Sequence, residues 1–219
     1  MRPKRKLWLV VAAIIAALLF WVGLDLFGPR RADIRRFDPN EVAHLDSVMW
    51  RSYYERNPRE LFFQLAELMR RQFHFPLLRS NEVAAYAAKA AFIFKDGHNR
   101  AEYEQALPEL VKYFQAIRDI SAEPFDVPRA AKLELEWWIV HRERENHADG
   151  DLPRALAEAA AELYQVPPDK LMEYGRYRAE AMKIRDAKAA AGGLTEDDWR
   201  HIETDLQSSW QSLWKAIQP

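Results

Sequence analysis

MRPKRKLWLVVAAIIAALLFWVGL, residues 1–24, sets four cations ahead of eighteen residues without a charge. A helix rises about 1.5 Å per residue, so Leu7–Leu24 would span roughly 27 Å, close to the hydrocarbon core of a bilayer. A buried helix of a soluble protein is rarely apolar on every face over such a length. Trp8 and Trp21 stand near the two ends, where amphipathic rings prefer the headgroup level. A cleaved secretory signal has an apolar stretch of about 7–15 residues and a small-x-small exit. Here the exit reads Gly23-Leu24-Asp25-Leu26-Phe27-Gly28-Pro29, without that pattern. The expected organisation is a basic tail (1–6), a transmembrane anchor (7–27), a basic juxtamembrane linker (28–37) and one globular domain (38–219).

Orientation rests on a nearly balanced count. Arg2, Lys4, Arg5 and Lys6 precede the run, and Arg30, Arg31, Arg35 and Arg36 follow it. The N-terminal amine, with Asp25, Asp33 and Asp38 on the far side, tilts the charge rule towards an inside N-terminus and an extracytoplasmic domain.

The whole chain carries a net charge of −1, but unevenly. Residues 1–80 hold 14 Lys/Arg against 8 Asp/Glu, and residues 81–219 hold 18 against 25. A near-neutral total argues against a nucleic-acid partner, whose binding domain would be strongly basic. With no cysteine, disulfides, thiolate nucleophiles and cysteine-ligated metals are excluded.

Beyond residue 37 the pattern is helical throughout, with no strand alternation. Asp38-Pro39 and Asn57-Pro58 each read as a cap followed by a first-turn proline, starting helices to about Asn57 and Phe73. Ser80 or Asn81 caps a third helix, to about Lys95, before Asp96-Gly97. From Asn99 to Ile120 an apolar seam (Tyr103, Leu107, Leu110, Phe114, Ile117) predicts a fourth, kinked or restarted at Pro108. A fifth runs from Asp126-Val127-Pro128 to about His147, a sixth from Leu152 to Gln165, and a seventh from Pro167-Pro168 to Ala191. Thr195 caps the last. The fold class is therefore all-α: one N-terminal membrane-length helix, then about eight helices with short connections, as a bundle or a stack of antiparallel hairpins.

Candidate chemistry concentrates on the fifth helix. Glu134, Trp138, His141 and Glu145 share one stripe at spacings of four, three and four. Glu134, Trp138 and His141 could line an interior polar pocket, with Glu134 orienting His141 or receiving its proton, and with Arg51 and Tyr54 contributing from the first soluble helix. The competing reading is a solvated, charged helix face. Tyr53, Tyr54, Tyr174 and Tyr177 are candidates for a shared hydroxyl network. Glu41-Val42-Ala43-His44 and Asp198-Trp199-Arg200-His201 are weak carboxylate–histidine metal matches, since acids in first turns are favoured by the helix dipole anyway. Gly175 inside the seventh helix suggests a close helix crossing. No phosphate-cradling glycine loop or nucleophile elbow is present.

Taken together, the sequence describes a bacterial-type single-pass membrane protein without a cofactor. Its expected contacts are the bilayer, through residues 7–27, and a protein partner. The leading expectation is an accessory or scaffold role, with Trp199, Trp210 and Trp214 of the last helix as the candidate interaction face. The alternative is an enzyme or small-ligand receptor built on the Glu134–Trp138–His141 pocket.

Overall fold

A computed structural model describes residues 3–218. Met1, Arg2, Pro219 and the side chains of residues 3–6 lie outside the described residues, and with them most of the basic tail. The chain is all-α, with one N-terminal helix long and apolar enough to span a membrane. That helix, α1 (Pro3–Phe27), leaves its apolar residues bare, and Leu7, Trp8, Leu19 and Phe20 are all exposed.

The helices that follow are α2 (Pro39–Tyr54), α3 (Pro58–Phe73), α4 (Leu77–Asp96), the single turn α5 (Arg100–Tyr103) and α6 (Leu107–Ile120). After them come α7 (Val127–Arg142), α8 (Asp151–Tyr164), α9 (Met172–Ala190) and α10 (Glu196–Ile217). The starts of α2, α3, α7 and α10 are capped as the sequence indicates. Asp38 accepts from the Asn40 and Glu41 amides, Asn57 from Glu60, Asp126 from Arg129, and Thr195 forms a reciprocal capping box with Asp198.

Four boundaries differ from the expected ones. The seam predicted from Asn99 to Ile120 is broken, because Pro108 has no amide to donate: residues 104–106 tighten into a 3-10 turn and α6 restarts with Pro108 in its first turn. α7 stops at Arg142 rather than His147, where the polar run that follows has no apolar face to bury. Residues 168–171 form a 3-10 turn before α9. Finally, α4 begins at Leu77, ahead of Ser80 and Asn81, because its cap comes from elsewhere in the chain. Asp25, near the end of α1 and only 6% exposed, accepts from the amides of Leu78 (2.9 Å) and Arg79 (3.2 Å), while Arg79 Nε donates to Leu26 O (3.0 Å).

The eight long helices after α1 pack each on its neighbour along the chain, α4 meeting α6 past the short α5, and α10 packs back on α2. That last contact closes a ring. Short connections make neighbours antiparallel, so α3, α6, α8 and α10 end at one rim, where α4 begins and α1 attaches. Residues 28–37, read from sequence as a basic linker, lie across this rim as a floor. Ala32 N donates to Ile120 O (2.7 Å), Arg35 to Tyr164 O (2.6 Å) and Ile217 O (2.7 Å), and His74 Nε2 to Arg36 O (2.5 Å). Ile34 and Phe37 are buried in the core. A guanidinium set among helix C-termini is favoured by their dipoles, and Arg35 is further paired with Glu123 (2.7 Å).

Candidate functional site

Closing eight helices into a ring leaves a lumen that side chains must fill or a ligand must occupy. Here a cavity of about 350 Å³ remains, and all eight ring helices contribute to its wall. Most of that wall is apolar or aromatic. Against this background three charged side chains stand out: Asp46 of α2, Glu134 of α7 and Arg178 of α9.

Asp46 and Arg178 form a buried ion pair, and Trp210 Nε1 donates to Asp46 Oδ2 at 2.8 Å. The Arg178 guanidinium lies 5.1 Å from the Trp50 ring centroid and 5.9 Å from that of Trp210. Burial, the largest single influence, would lower its pKa, but the charge and hydrogen bond of Asp46 together with neighbouring Tyr174 and Glu134 outweigh it and hold Arg178 above its ordinary value. Removing either partner would strand a charge in the interior.

Among the described residues Glu134 has no such partner. Trp138 Nε1 donates to its Oε1 at 3.0 Å, and Trp137 stands beside it. Glu134 and Tyr113 keep accessible surface although protein encloses them on every side; that surface is cavity wall. Burial pushes the Glu134 carboxyl above the usual carboxylate range, against the opposing influence of the neighbouring Trp137 and Trp138 indoles and the charge of Arg178. Burial likewise raises Tyr113 well above its ordinary value and takes Tyr174 up to about 12. The hydroxyls of Tyr113 and Tyr174 find no hydrogen-bond partner among the described residues, whereas Tyr164 accepts from Gln72 Nε2 at 3.1 Å.

The wall reaches the exterior at the rim away from α1. Among the described residues Phe92 is its one exposed lining residue, at 43%, and His141, Tyr53 and Tyr54 line the same end. Arg185 stacks on Tyr54 with its guanidinium 3.3 Å from the ring centroid and contacts Asp186 at 2.7 Å. Its buried Nε has no partner among the described residues.

The sequence candidates therefore separate. Glu134, Trp138, His141 and Tyr54 all line the cavity. His141 is not turned to Glu134, however: its Nε2 meets Asp186 at 3.0 Å, and Arg144 reaches the same carboxylate at 2.9 Å. Burial would raise Asp186, but the hydrogen bonds from His141 and Arg185 outweigh it and hold its carboxyl below the usual range. Arg51 stands outside the cavity, clamped on Glu196 (2.6 Å) and Glu55 (2.8 Å), because the C-terminal end of α2 meets the N-terminus of α10 there. Of the hydroxyl candidates Tyr53, Tyr54 and Tyr174 are lining residues, while Tyr177 lies beneath Arg176 instead.

The metal candidates are dispersed. Glu41 pairs with Arg71, His44 with Glu203, and Asp198 with Thr195 and Lys188, which lower its pKa to about 2; His201 is exposed. Among the described residues no group of three or more His, Asp or Glu stands close enough to hold a metal ion. Trp199 (8% exposed) and Trp210 (5%) are packed into the domain, so they present no open face, and Trp214 is half-buried against the core.

Asp46, Arg178 and Tyr113 were not singled out by sequence reasoning. A signal existed for two of them. Asp46 sits between Val42 and Trp50 at steps of four, and Arg178 between Tyr174 and Met182, each a charge in the middle of a buried stripe. Comparisons with protein-family models, curated proteins and solved structures give no match to this chain.

Proposed function

We propose that this protein binds a small molecule inside its helical ring, with α1 as a retained single-pass membrane anchor and the ring on the extracytoplasmic side. The observation that carries the reading is the cavity: a largely apolar space, rich in aromatic rings, with a few polar groups converging on it and one rim open. Support for retention comes from Asp25. A cut that released α1 would remove the one side-chain cap of α4 among the described residues, together with the Leu26 carbonyl that accepts from Arg79. Binding is favoured over catalysis because His141 and Glu134 hold separate partners, so neither activates the other. A role through protein contacts draws less support, since two of the three tryptophans proposed as its face are buried.

Intact-mass spectrometry of the full chain, extracted from its membrane in mild detergent, tests this. A small-molecule adduct is expected on the wild type and absent from Ala88→Trp, which projects an indole into the cavity from α4. A bare wild type, together with an Ala88→Trp variant that is more heat-stable, would identify the space as a packing void and sink the proposal. A C-terminal reporter active only outside the cytoplasm tests the orientation, and activity confined to the inside would reverse it.

A further inference from the structure

The ring's interior carries an unbalanced charge. Asp46 and Arg178 cancel as a pair whose geometry is already complete, with Trp210 on the carboxylate. Glu134 is left with a neutral indole donor and, among the described residues, no cation paired to it. A carboxylate held away from water without a cation is costly, and the fold retains this one on ring helix α7.

What surrounds Glu134 suits a positive partner. Trp137 and Trp138 flank it on its own helix, with their ring centroids 6.0 Å apart at 82°. Aromatic faces attract cations, and the attraction grows when water is excluded. Tyr113 of α6 and Tyr174 of α9 stand close enough to feel the Glu134 charge, and their hydroxyl oxygens are free to accept. A neutral guest would leave the carboxylate unmatched. An anion would meet Glu134 and find Arg178 already engaged.

We propose that the cavity takes an organic ammonium ion, a protonated amine on an apolar ring-bearing body, which donates its N–H groups to Glu134 and the Tyr113 and Tyr174 oxygens. This inference rests on the small-molecule reading above and specifies its ligand. Size narrows it further. A cavity of about 350 Å³ is at the small end of ligand pockets, which run roughly 300–1,000 Å³, so the guest is a compact amine rather than a lipid or a peptide.

The test is calorimetric titration of the full chain in nanodiscs of zwitterionic lipid, with empty nanodiscs as reference. The two probes are 2-phenylethylammonium and propylbenzene, its neutral isostere. The ammonium is expected to bind at least tenfold more tightly than propylbenzene. Glu134→Gln should weaken the ammonium at least tenfold while leaving propylbenzene within about twofold, and Tyr113→Phe should weaken it severalfold. Propylbenzene binding as tightly as the ammonium, or an ammonium affinity untouched by Glu134→Gln, overturns the cation inference and leaves the ligand cavity standing. Binding of neither probe overturns both.

Discussion

Glu134 carries a cost in the unliganded protein that glutamine at the same position would not. Its side chain accepts from Trp138 beside Trp137 on α7, and the titratable groups that feel its charge are Tyr113 from α6 and Tyr174 and Arg178 from α9, with Arg178 paired to Asp46 of α2. Since the folded carboxyl holds its proton more tightly than the unfolded one, which titrates near about 4.3, folding is unopposed below that pH. The penalty grows as pH rises through the folded value and is complete above it. Glu134→Gln keeps an oxygen for the Trp138 indole but removes the titration. Its melting temperature should match the wild type near pH 3.5 and exceed it by a few degrees at pH 8, at about 2–4 °C per kcal/mol for a chain of this size. An equal difference at both pH values would show that burial does not oppose its ionisation. At this scale the sequence was half legible. The Glu134–Trp138–His141 stripe does face the cavity, but the partner of His141, Asp186, lies 45 residues away on another helix. No spacing within α7 could reveal that pairing.

Helix starts show where local signals suffice and where they fail. The caps of α2, α3, α7 and α10 lie next to the turns they cap, so they can be read directly from sequence. The cap of α4 comes from Asp25, more than fifty residues upstream, and Ser80, which resembles a cap, spends its hydroxyl on Leu77 O instead (2.8 Å). Gly175 was legible for a different reason: a glycine well inside a helix asks for a cause. The cause is Pro153 of α8, whose carbonyl oxygen occupies the place a Cβ would take. Gly175→Ala should therefore lower stability by about 1–3 kcal/mol through forced separation of α8 and α9, even though alanine favours a helix by about 1 kcal/mol. Denaturant unfolding measures the sum, and a gain in stability would show that the crossing yields easily.

The number and order of the helices could be read from the chain, but the ring could not. Short connections dictate that neighbours pack, yet nothing local says that α10 returns to α2, and the cavity exists only because it does. The role of residues 28–37 was hidden in the same way: four arginines suggested a basic juxtamembrane linker, while Ile34, Arg35 and Phe37 are held in or against the fold. Two shortened chains separate the contributions of α1. One starting at Val22 loses most of the apolar run and keeps Asp25, and one starting at Pro29 loses both. Each should be soluble and helical, with the second melting several degrees lower, because a lost helix cap costs roughly 0.5–2 kcal/mol. Identical melting curves would mean that Asp25 adds nothing to α4, and aggregation of both would mean that the ring needs α1 to fold.

The floor made by residues 28–37 has a mechanical meaning. Ten flexible residues would act as a leash with a root-mean-square reach of about 18 Å, letting the domain tumble above its point of attachment. Pinned to three helix ends by Ala32 and Arg35, and clasped to α4 through Asp25, the same residues act as a bracket. Phe92, at the mouth, lies fifteen residues beyond Leu77, about 22 Å along α4. With α1 in a bilayer, every copy would present its opening at one height and one bearing, so capture would occur from a thin layer of solution parallel to the lipid surface.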